Sequence, residues 1–383
     1  MNKQATFKFR NNTYTVRQNE SIKRVDGPDY HCKIDLQSGY TERWGRTKAT
    51  EDDPVMAPFP EIFDFEIATA CSGIPQVGSC KFCYKSNTSK GFETTSAEVD
   101  IALEHLSFWT DNGWISPLGQ IAYGIGNANN ENLIPIFELT RYKYGIVPNT
   151  TCNGAYLTDE LIREWGRLLG AVAISNYGEI CFDAVEKFTR LTNLKVNIHQ
   201  IVSEENYDQC MQLLHQRKTD PRLSKLNAIV FLMLKPKGRG RSIAPLTNFN
   251  KYKALIDEAI NSDLMWGADS CSAPTVMKAL SNRSDAQQIY ESIDPCEAFL
   301  FSAYANHKGE CWPCSFSENE LGWWNPPKLT EITNFIEEVW DAPRTSIWRN
   351  ILLNSTTHPE CKICQIKSHC RTCPIYNLNL CRV

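Results

Sequence analysis

The sequence has 383 residues, of which 42% are hydrophobic and 22% are charged, and its formal net charge is −4. This balance predicts a globular chain with a sizeable core, and the lack of a Lys/Arg block argues against a sequence-independent grip on nucleic acid. No apolar run reaches the ~18 residues that a membrane span needs, and the first residues lack the apolar core of a signal peptide. We therefore expect a cytoplasmic protein without membrane or nucleic-acid partners.

Residues 1–60 are predicted to form a β-rich N-terminal extension. Hydrophobic and polar residues alternate in four short stretches, paired around polar turns: 6–9 and 13–16 around Asn11-Asn12, and 31–36 and 40–44 around Ser38-Gly39. This pattern is typical of two β-hairpins. The extension either covers one end of the domain that follows or pairs by its edge with a partner strand, and we favour the first interpretation.

Three cysteines follow the first strongly apolar stretch. Residues 63–70 predict a buried strand, and Cys71, Cys80 and Cys83 lie in the loop beyond its carboxyl end. Three thiolates hold three irons of a four-iron, four-sulfur ([4Fe-4S]) cluster and leave the fourth iron open, whereas a structural zinc site closes all four positions. Because the Cys80-x2-Cys83 spacing is also common at zinc sites, a zinc loop stays open as the alternative.

Six strand–helix units follow one another between residues 61 and 265, with predicted strands at 63–70, 120–123, 146–150, 171–175, 195–202 and 227–234. Alternation of this kind predicts an α/β fold with a parallel sheet, in the form of an open, partial (β/α)6 barrel. The loops after the strands then share one rim. We expect the active site on this rim, which consists of residues 71–83, 124–130, 151–154, 175–178, 203–206 and 235–241.

Residues 266–383 are predicted to form a cysteine-rich domain with a strand at 298–303 and a helix at 329–340. The chain has 16 cysteines and no secretion signal, so metal binding is a better explanation for them than disulfides. Three are Cys296, Cys311 and Cys314, and five crowd the tail: Cys361, Cys364, Cys370, Cys373 and Cys381. Tandem C-x2-C pairs indicate a metal but do not choose between zinc and iron–sulfur. His369 is close enough in sequence to be an alternative ligand.

In this order, the motifs of residues 61–383 resemble the radical S-adenosylmethionine (radical SAM) superfamily, in the branch with a C-terminal SPASM or twitch extension. The similar segments are Cys80-Lys-Phe82-Cys83, Gly124-Ile-Gly126-Asn127, Asn153-Gly154, Ser175-Asn176, Gly238-Arg239-Gly-Arg241, Cys296-x12-Gly309-x4-Cys314 and Cys361-x2-Cys364-x5-Cys370 with the final Cys381.

The chain departs from the family pattern at three points. The first signature gap, Cys71-x8-Cys80, is longer than usual, so the inserted residues must bulge away from the cluster. The Gly124 segment lacks the glutamate of the family, for which Asn127 is the substitute and Glu131 the alternative. The gap between Cys370 and Cys373 is one residue shorter than usual.

The resemblance implies a radical SAM enzyme in which Cys71, Cys80 and Cys83 bind the cluster that cleaves SAM to a 5′-deoxyadenosyl radical. It implies cofactor-binding roles for Phe82, Gly124, Gly126, Asn127, Asn153, Ser175, Asn176 and Arg239. It also implies two auxiliary [4Fe-4S] clusters. Cys361, Cys364, Cys370 and Cys381 would hold one. Cys296, Cys314 and Cys373 would hold the other, with Cys311 or Cys271 as the fourth ligand or an open position for substrate.

The same resemblance implies that the substrate is a ribosomally made peptide or protein, as for the maturases that modify such peptides. Crosslinking, backbone excision, epimerisation and oxidation all stay open as the reaction. A separate leader-recognition protein and an electron donor of the flavodoxin or ferredoxin type are the expected partners. Two alternatives remain at this point: a radical SAM enzyme acting on a sugar or cofactor precursor, and a non-catalytic, cysteine-rich metal scaffold.

Overall fold

The computed structural model describes residues 2–262 and 264–382. It begins with an antiparallel five-stranded sheet in chain order: β1 (Lys3–Phe9), β2 (Asn12–Gln18), β3 (Ile22–Asp26), β4 (His31–Asp35) and β5 (Thr41–Trp44). Both predicted hairpins are present, and β3 joins them. This strand escaped prediction because the buried Lys23 occupies one of its inward-facing positions, where a hydrophobic residue would have completed the alternation.

The chain then alternates strands and helices: β6 (Ile62–Glu66), α1 (Ser96–His105), β7 (Phe108–Thr110), β8 (Gly113–Ile115), β9 (Gln120–Gly124), α2 (Leu133–Glu138), β10 (Val147–Cys152), α3 (Asp159–Leu168), β11 (Ala171–Ser175), α4 (Glu179–Leu191), β12 (Lys195–Val202), α5 (Tyr207–Thr219), β13 (Ala228–Met233), α6 (Phe249–Asn261) and β14 (Trp266–Ala268). The six predicted barrel strands are β6 and β9 to β13. They lie side by side and parallel, which confirms the partial (β/α)6 barrel.

Apolar faces of the helices close the outside of this sheet. Phe137 of α2, Trp165 of α3 and Phe188 of α4 are buried, and their rings follow one another with centroids 5.9 and 6.0 Å apart. Thr95 accepts a hydrogen bond from the backbone of Glu98, whose side chain returns to Thr95, so α1 starts with a complete capping box. The core therefore lies between the parallel strands and one layer of helices.

The C-terminal region continues with α7 (Ala273–Leu280), α8 (Ala286–Tyr290), β15 (Ser302–Ala305), β16 (Cys311–Trp312) and α9 (Pro343–Leu353). It is part of the barrel sheet, whose order is β14-β13-β12-β11-β10-β9-β6-β15-β16. The expected domain boundary at residue 265 thus falls within one sheet, just before β14. The predicted helix at 329–340 is wrong for most of its length. A π-helical turn covers only Ile336–Trp340, and α9 begins after it, with Pro343 at a position that favours a helix start.

The N-terminal sheet lies against the amino ends of the barrel strands. The buried Lys23 donates a hydrogen bond of 2.6 Å to the carbonyl of Leu118, just before β9. Tyr30 donates one of 2.7 Å to Glu61, just before β6. The sheet therefore covers one barrel end, the arrangement that the sequence favoured. Among the described residues, no helix is long and apolar enough to cross a membrane.

Candidate active site

A cavity of about 640 Å³ opens at the carboxyl ends of the barrel strands. Since parallel strands bring their carboxyl ends to one edge, loops far apart in sequence meet there. Most of the predicted site residues line this cavity: Cys71, Cys80, Phe82, Cys83, Gly124, Gly126, Asn153, Ser175, Asn176, Arg239, Cys296, Cys314 and Cys373. The first three-cysteine loop and part of the C-terminal cysteine set therefore share one space.

The thiols of Cys71, Cys80 and Cys83 surround the hydroxyl of Tyr177. This hydroxyl contacts the sulfur of Cys80 directly. Burial raises the pKa of Tyr177, and the nearby sulfurs of Cys80, Cys83 and Cys71 raise it further. The three predicted ligands thus lie in electrostatic range of one hydroxyl on the cavity wall.

The Gly238-Arg239 segment after β13 holds the second half of this loop. The Arg239 guanidinium donates hydrogen bonds of 2.8 and 2.9 Å to the carbonyls of Cys80 and Asn87. Gly238 has φ +56°, and a Cβ atom there would lie 2.3 Å from the carbonyl oxygen of Tyr84, so only glycine fits. Arg239 was expected to bind the cofactor. Arg239 lines the cavity, and its guanidinium positions the backbone of the loop that carries the cysteines; its contact to the cofactor stays a prediction.

The loop after β9 holds the first half. Gly126 has φ +66°, and a Cβ atom there would lie 2.0 Å from the carbonyl oxygen of Ala70, next to Cys71. The predicted cofactor contact by Asn127 is not found, because Asn127 accepts a hydrogen bond of 3.1 Å from the backbone of Ser72 and does not line the cavity. Its alternative, Glu131, is exposed. Asn127 therefore supports the cysteine loop from outside.

The long Cys71–Cys80 gap contains a closed turn. Ile74 and Gly78 exchange two backbone hydrogen bonds of 2.8 Å, and the Val77 side chain at the tip is 70% exposed. Asn153 donates a hydrogen bond of 3.3 Å to the carbonyl of Gly73 and ties the turn to the end of β10. Residues 75–79 of the insert are thus exposed, as the sequence predicted, whereas Ile74 is buried and anchors the turn.

A second group of thiols lies on the C-terminal side of the cavity and contains Cys271, Cys296, Cys314 and Cys373. Burial raises the pKa of Cys271 to about 12; Lys235 lowers it, and the nearby Cys296, Cys373 and Cys314 raise it. Burial also raises the pKa of Cys296, again with Cys314 and Cys373 nearby. Four thiols in mutual electrostatic range fit the four ligands of a closed cluster.

Cys311 was expected among the metal ligands, and the structure places it elsewhere. Its backbone pairs with Ala305 in the sheet, and its sulfur is buried beside the carbonyl of Gly309, at 3.8 Å. Cys311 does not line the cavity. The side chains of a strand alternate between two faces, and this alternation directs Cys311 into the core. Of the two predicted candidates for the fourth ligand, Cys271 lines the cavity beside Cys296, Cys314 and Cys373, and Cys311 does not.

The remaining tail cysteines lie in short 3-10 turns. Cys361 falls in Pro359–Ile363, Cys364 and Cys370 flank Lys367–His369, and Cys381 lies in Leu380–Arg382. Cys364 and Cys370 are partly buried against the core. His369, the alternative ligand, contacts the side chain of Gln287 at 3.3 Å.

Sequence reasoning missed a buried ion network beside the first thiol group. Lys85 lies 2.8 Å from Glu66 and also pairs with Glu318. The Tyr304 hydroxyl lies 3.1 Å from both carboxylates. The network connects β6, the cysteine loop and β15. Its only sequence signal is Glu66, a charged residue within an apolar run.

Two further titratable groups of the cavity were also missed. Burial raises the pKa of Asp64 on β6 to about 6 and lowers the pKa of His199 on β12 to about 4. Both side chains line the cavity. Asp64 and His199 each occupy an inward-facing position of a strand whose other residues are typical of a hydrophobic core. Neither residue belongs to a recognisable sequence motif.

In residues 2–262 and 264–382, no group of three or more His, Cys, Asp or Glu side chains is placed to hold a metal ion. Seven of the predicted thiols nevertheless line one cavity: Cys71, Cys80, Cys83, Cys271, Cys296, Cys314 and Cys373. Thiolates are the usual ligands of iron–sulfur clusters. By the chemistry of their donor atoms, these residues fit this cofactor.

No protein-family model and no curated protein matches the sequence. Solved structures do match. Streptococcus suis SuiB bound to S-adenosylmethionine superposes with a TM-score of 0.61 at 12% identity, over 85% of this chain and 78% of SuiB. The protein anSMEcpe with bound AdoMet and Cp18Cys peptide gives 0.56 at 15% identity, over 82% of this chain and 89% of that one. The chain shares the fold of these two proteins.

The shared fold covers more than four fifths of the chain in both matches. SuiB bound to its precursor peptide SuiA also matches, with a TM-score of 0.62 at 13% identity over 86% of this chain and 77% of SuiB. At such low identity the similarity concerns the fold. The roles of individual residues rest on the geometry of the cavity.

Proposed function

We propose that the protein is a radical SAM enzyme that modifies a ribosomally made peptide or protein. The observation that carries this proposal is the shared cavity, which has three thiols at one end and four at the other. Cys71, Cys80 and Cys83 would hold an iron–sulfur cluster, and this group would supply the one-electron chemistry that reductively cleaves SAM to methionine and a 5′-deoxyadenosyl radical able to abstract hydrogen from the substrate.

Side chains and backbone around this cavity position SAM and the cysteine loop. Gly124 and Gly126 line the cavity and let the cofactor approach the backbone closely. Ser175 at the end of β11 presents a hydroxyl to the same space and is a candidate partner of the SAM ribose. Arg239 and Asn127 hold the cysteine loop in place, and the hydroxyl of Tyr177 shares a hydrogen bond with the sulfur of Cys80.

The C-terminal cysteines would hold two auxiliary clusters. Cys271, Cys296, Cys314 and Cys373 lie on the cavity wall, where they suit electron transfer to or from a substrate radical. Cys361, Cys364, Cys370 and Cys381 would ligate the second cluster, farther along the tail. Because Cys311 is buried in β16, it takes no part.

A peptide substrate is supported by the structures that share the fold. SuiB has been solved with its precursor peptide SuiA, and anSMEcpe with a Cp18Cys peptide. The N-terminal sheet of the present chain is packed against the barrel end through Lys23 and Tyr30. We therefore expect a separate protein to recognise a leader sequence, and a flavodoxin- or ferredoxin-type protein to deliver electrons.

Anaerobic reconstitution tests this proposal. The wild-type chain should bind roughly twelve irons, the content of three [4Fe-4S] clusters, and form 5′-deoxyadenosine from SAM and dithionite. Replacing Cys71, Cys80 and Cys83 together by Ala should remove about four irons and all SAM cleavage.

Two single variants separate the cluster ligands from ordinary cysteines. Cys271→Ala should lose iron from the C-terminal set, whereas the matched control Cys311→Ala should keep the full iron content. Zinc in place of iron, or SAM cleavage that persists in the triple variant, would contradict the proposed function.

A further inference from the structure

Asp64 is an acidic residue in the middle of an otherwise apolar barrel strand. It lies on β6, opposite Ala122 of β9 and Tyr304 of β15. Its neighbours Phe63 and Phe65 are buried in the core. Because side chains alternate along a strand, the carboxylate of Asp64 points into the barrel, where it lines the same cavity as the two thiol groups.

The other charges on the cavity wall have partners in the protein. Lys85 pairs with Glu66 and Glu318, and Lys235 pairs with Asp269. The guanidinium of Arg239 donates hydrogen bonds to two backbone carbonyls. These groups are therefore compensated before any ligand enters.

Asp64 differs from all of them. In the described parts of the chain, no hydrogen bond or ion pair reaches the carboxylate of Asp64, which is partly buried in the cavity wall. Burial raises its pKa to about 6. An isolated buried carboxylate is unfavourable in a folded protein unless something compensates it. An uncompensated carboxylate that faces a ligand cavity indicates that the compensating group arrives with the ligand.

The surroundings of Asp64 favour a cation as this group. Tyr84 lies near enough for Asp64 to raise its pKa, but the Tyr84 hydroxyl is bonded to Ser315. His199 across the cavity is neutral near pH 7, since burial lowers its pKa to about 4. The thiol groups at both ends become anionic when they bind metal. The cavity thus offers negative potential and lacks a free positive charge on its described wall.

We propose that Asp64 binds a cationic side chain, Lys or Arg, of the peptide substrate and so selects the residue that lies within reach of the radical. The proposal rests on the proposed function and specifies its substrate class. Asp64 is therefore a specificity-determining residue. When the peptide enters and displaces water from the cavity, the ion pair with its cationic side chain takes the place of the lost hydration of the Asp64 carboxylate.

Matched peptides test this pairing in the reconstituted holoenzyme. The probes are acetyl-Gly-Gly-Xaa-Gly-Gly-amides with deuterated side chains at Xaa, used as two pairs: Lys against norleucine, and Arg against citrulline. The measurement is deuterium transferred into 5′-deoxyadenosine. We expect transfer from the cationic member of at least one pair to exceed that from its neutral partner by about tenfold or more.

Two variants of Asp64 then assign this preference. Asp64→Asn keeps the shape of the side chain and should bring the cation-to-neutral ratio to about one, while Asp64→Glu keeps the charge and should retain a preference. Iron content shows that each variant is folded and loaded. The ratio is an internal measure, so a general loss of rate does not imitate the effect.

Three results overturn the inference: equal use of the paired probes by the wild-type enzyme, an unchanged ratio in Asp64→Asn, or no deuterium transfer from any probe while SAM is still cleaved. Weaker SAM binding by Asp64→Asn in the absence of peptide would assign the carboxylate to the cofactor and also reject it. If the wild-type protein forms no 5′-deoxyadenosine at all, the proposed function itself fails, which is a distinguishable outcome.

Discussion

The two ends of the barrel each contain a buried ionisable side chain without a counter-charge, but they treat it differently. At the amino end, Lys23 is fully buried beneath the N-terminal sheet and bonded to the carbonyl of Leu118. Asp64, in the middle of β6, faces the cavity that opens at the carboxyl end and has no such bond. The amino end is closed by packing of the N-terminal sheet. At the carboxyl end, the carboxylate in the cavity has no partner among the described residues. In α/β barrels the amino end serves stability and the carboxyl end serves chemistry, and these two residues show that difference directly.

The largest effect should come from removing a positioning residue at the carboxyl end. Arg239→Ala leaves the carbonyls of Cys80 and Asn87 without their donor, so the cysteine loop loses its geometry. We expect SAM cleavage to fall by about tenfold or more. The matched control is Arg241→Ala, since Arg241 is exposed and pairs with Glu320. Equal 5′-deoxyadenosine formation by both variants would show that the loop does not depend on this clamp.

The next effect concerns stability at the same end. The pKa of Asp64 is raised from 3.8 to about 6, so the folded protein binds a proton there that the unfolded chain releases. Burial of Asp64 therefore costs stability increasingly as pH rises from about 4 to 6, and the full cost, on the order of 3 kcal/mol, persists above that range. Asp64→Asn should raise the melting temperature at pH 7 when no SAM or peptide is bound. A lower melting temperature would mean that a stabilising partner was lost.

Lys23 gives the opposite pH dependence at the amino end. Burial lowers its pKa from 10.5 to about 7, and the charge of Lys3 adds to this effect. Between pH 7 and about 10.5, Lys23 is protonated in the unfolded chain and neutral in the folded chain. The free energy of unfolding therefore rises with pH over this range. The stability advantage of Lys23→Met over wild type should accordingly shrink as pH rises across that range, as followed by thermal unfolding. The exposed Lys33→Met should show no such trend.

The smallest effect should be a shift in the redox potential of the cluster that Cys71, Cys80 and Cys83 are proposed to hold, without a change in the fold of the barrel. Tyr177→Phe removes the hydrogen bond to the sulfur of Cys80, which stabilises the more negative, reduced state of a cluster bound there. We expect a more negative midpoint potential for that cluster in an anaerobic titration followed by electron paramagnetic resonance. The control is Tyr376→Phe, whose hydroxyl contacts Phe316 on the other side of the cavity. An unchanged potential would assign Tyr177 a packing role.

The repeating parts of this molecule could be predicted from the sequence. Apolar runs bounded by polar turns revealed the six barrel strands, and cysteine spacing pointed to the rim. The exceptions have physical causes. Lys23 concealed β3 because it occupies a buried strand position. Cys311 and Cys271 were both candidates for a fourth ligand, but the sheet directs Cys311 into the core, while tertiary packing brings Cys271, which belongs to no motif, to the other thiols.

Charged residues of the cavity escaped prediction for a different reason. Asp64, Glu66 and Lys85 become neighbours of residues such as Glu318 and Tyr304 only after β15 pairs with β6. No local pattern contains that long-range contact. Their importance is visible only once burial and partners are known.

The pairing of β15 with β6 has a consequence for how substrates enter. Four residue pairs join these strands, from Ser302 opposite Ile62 to Ala305 opposite Phe65. The barrel and the C-terminal region therefore cannot separate by a hinge motion without breaking the backbone hydrogen bonds between β6 and β15. A peptide has to thread into a space whose walls are already joined. Access is thus governed by the flexibility of the substrate chain, which favours unstructured segments over sites within folded domains.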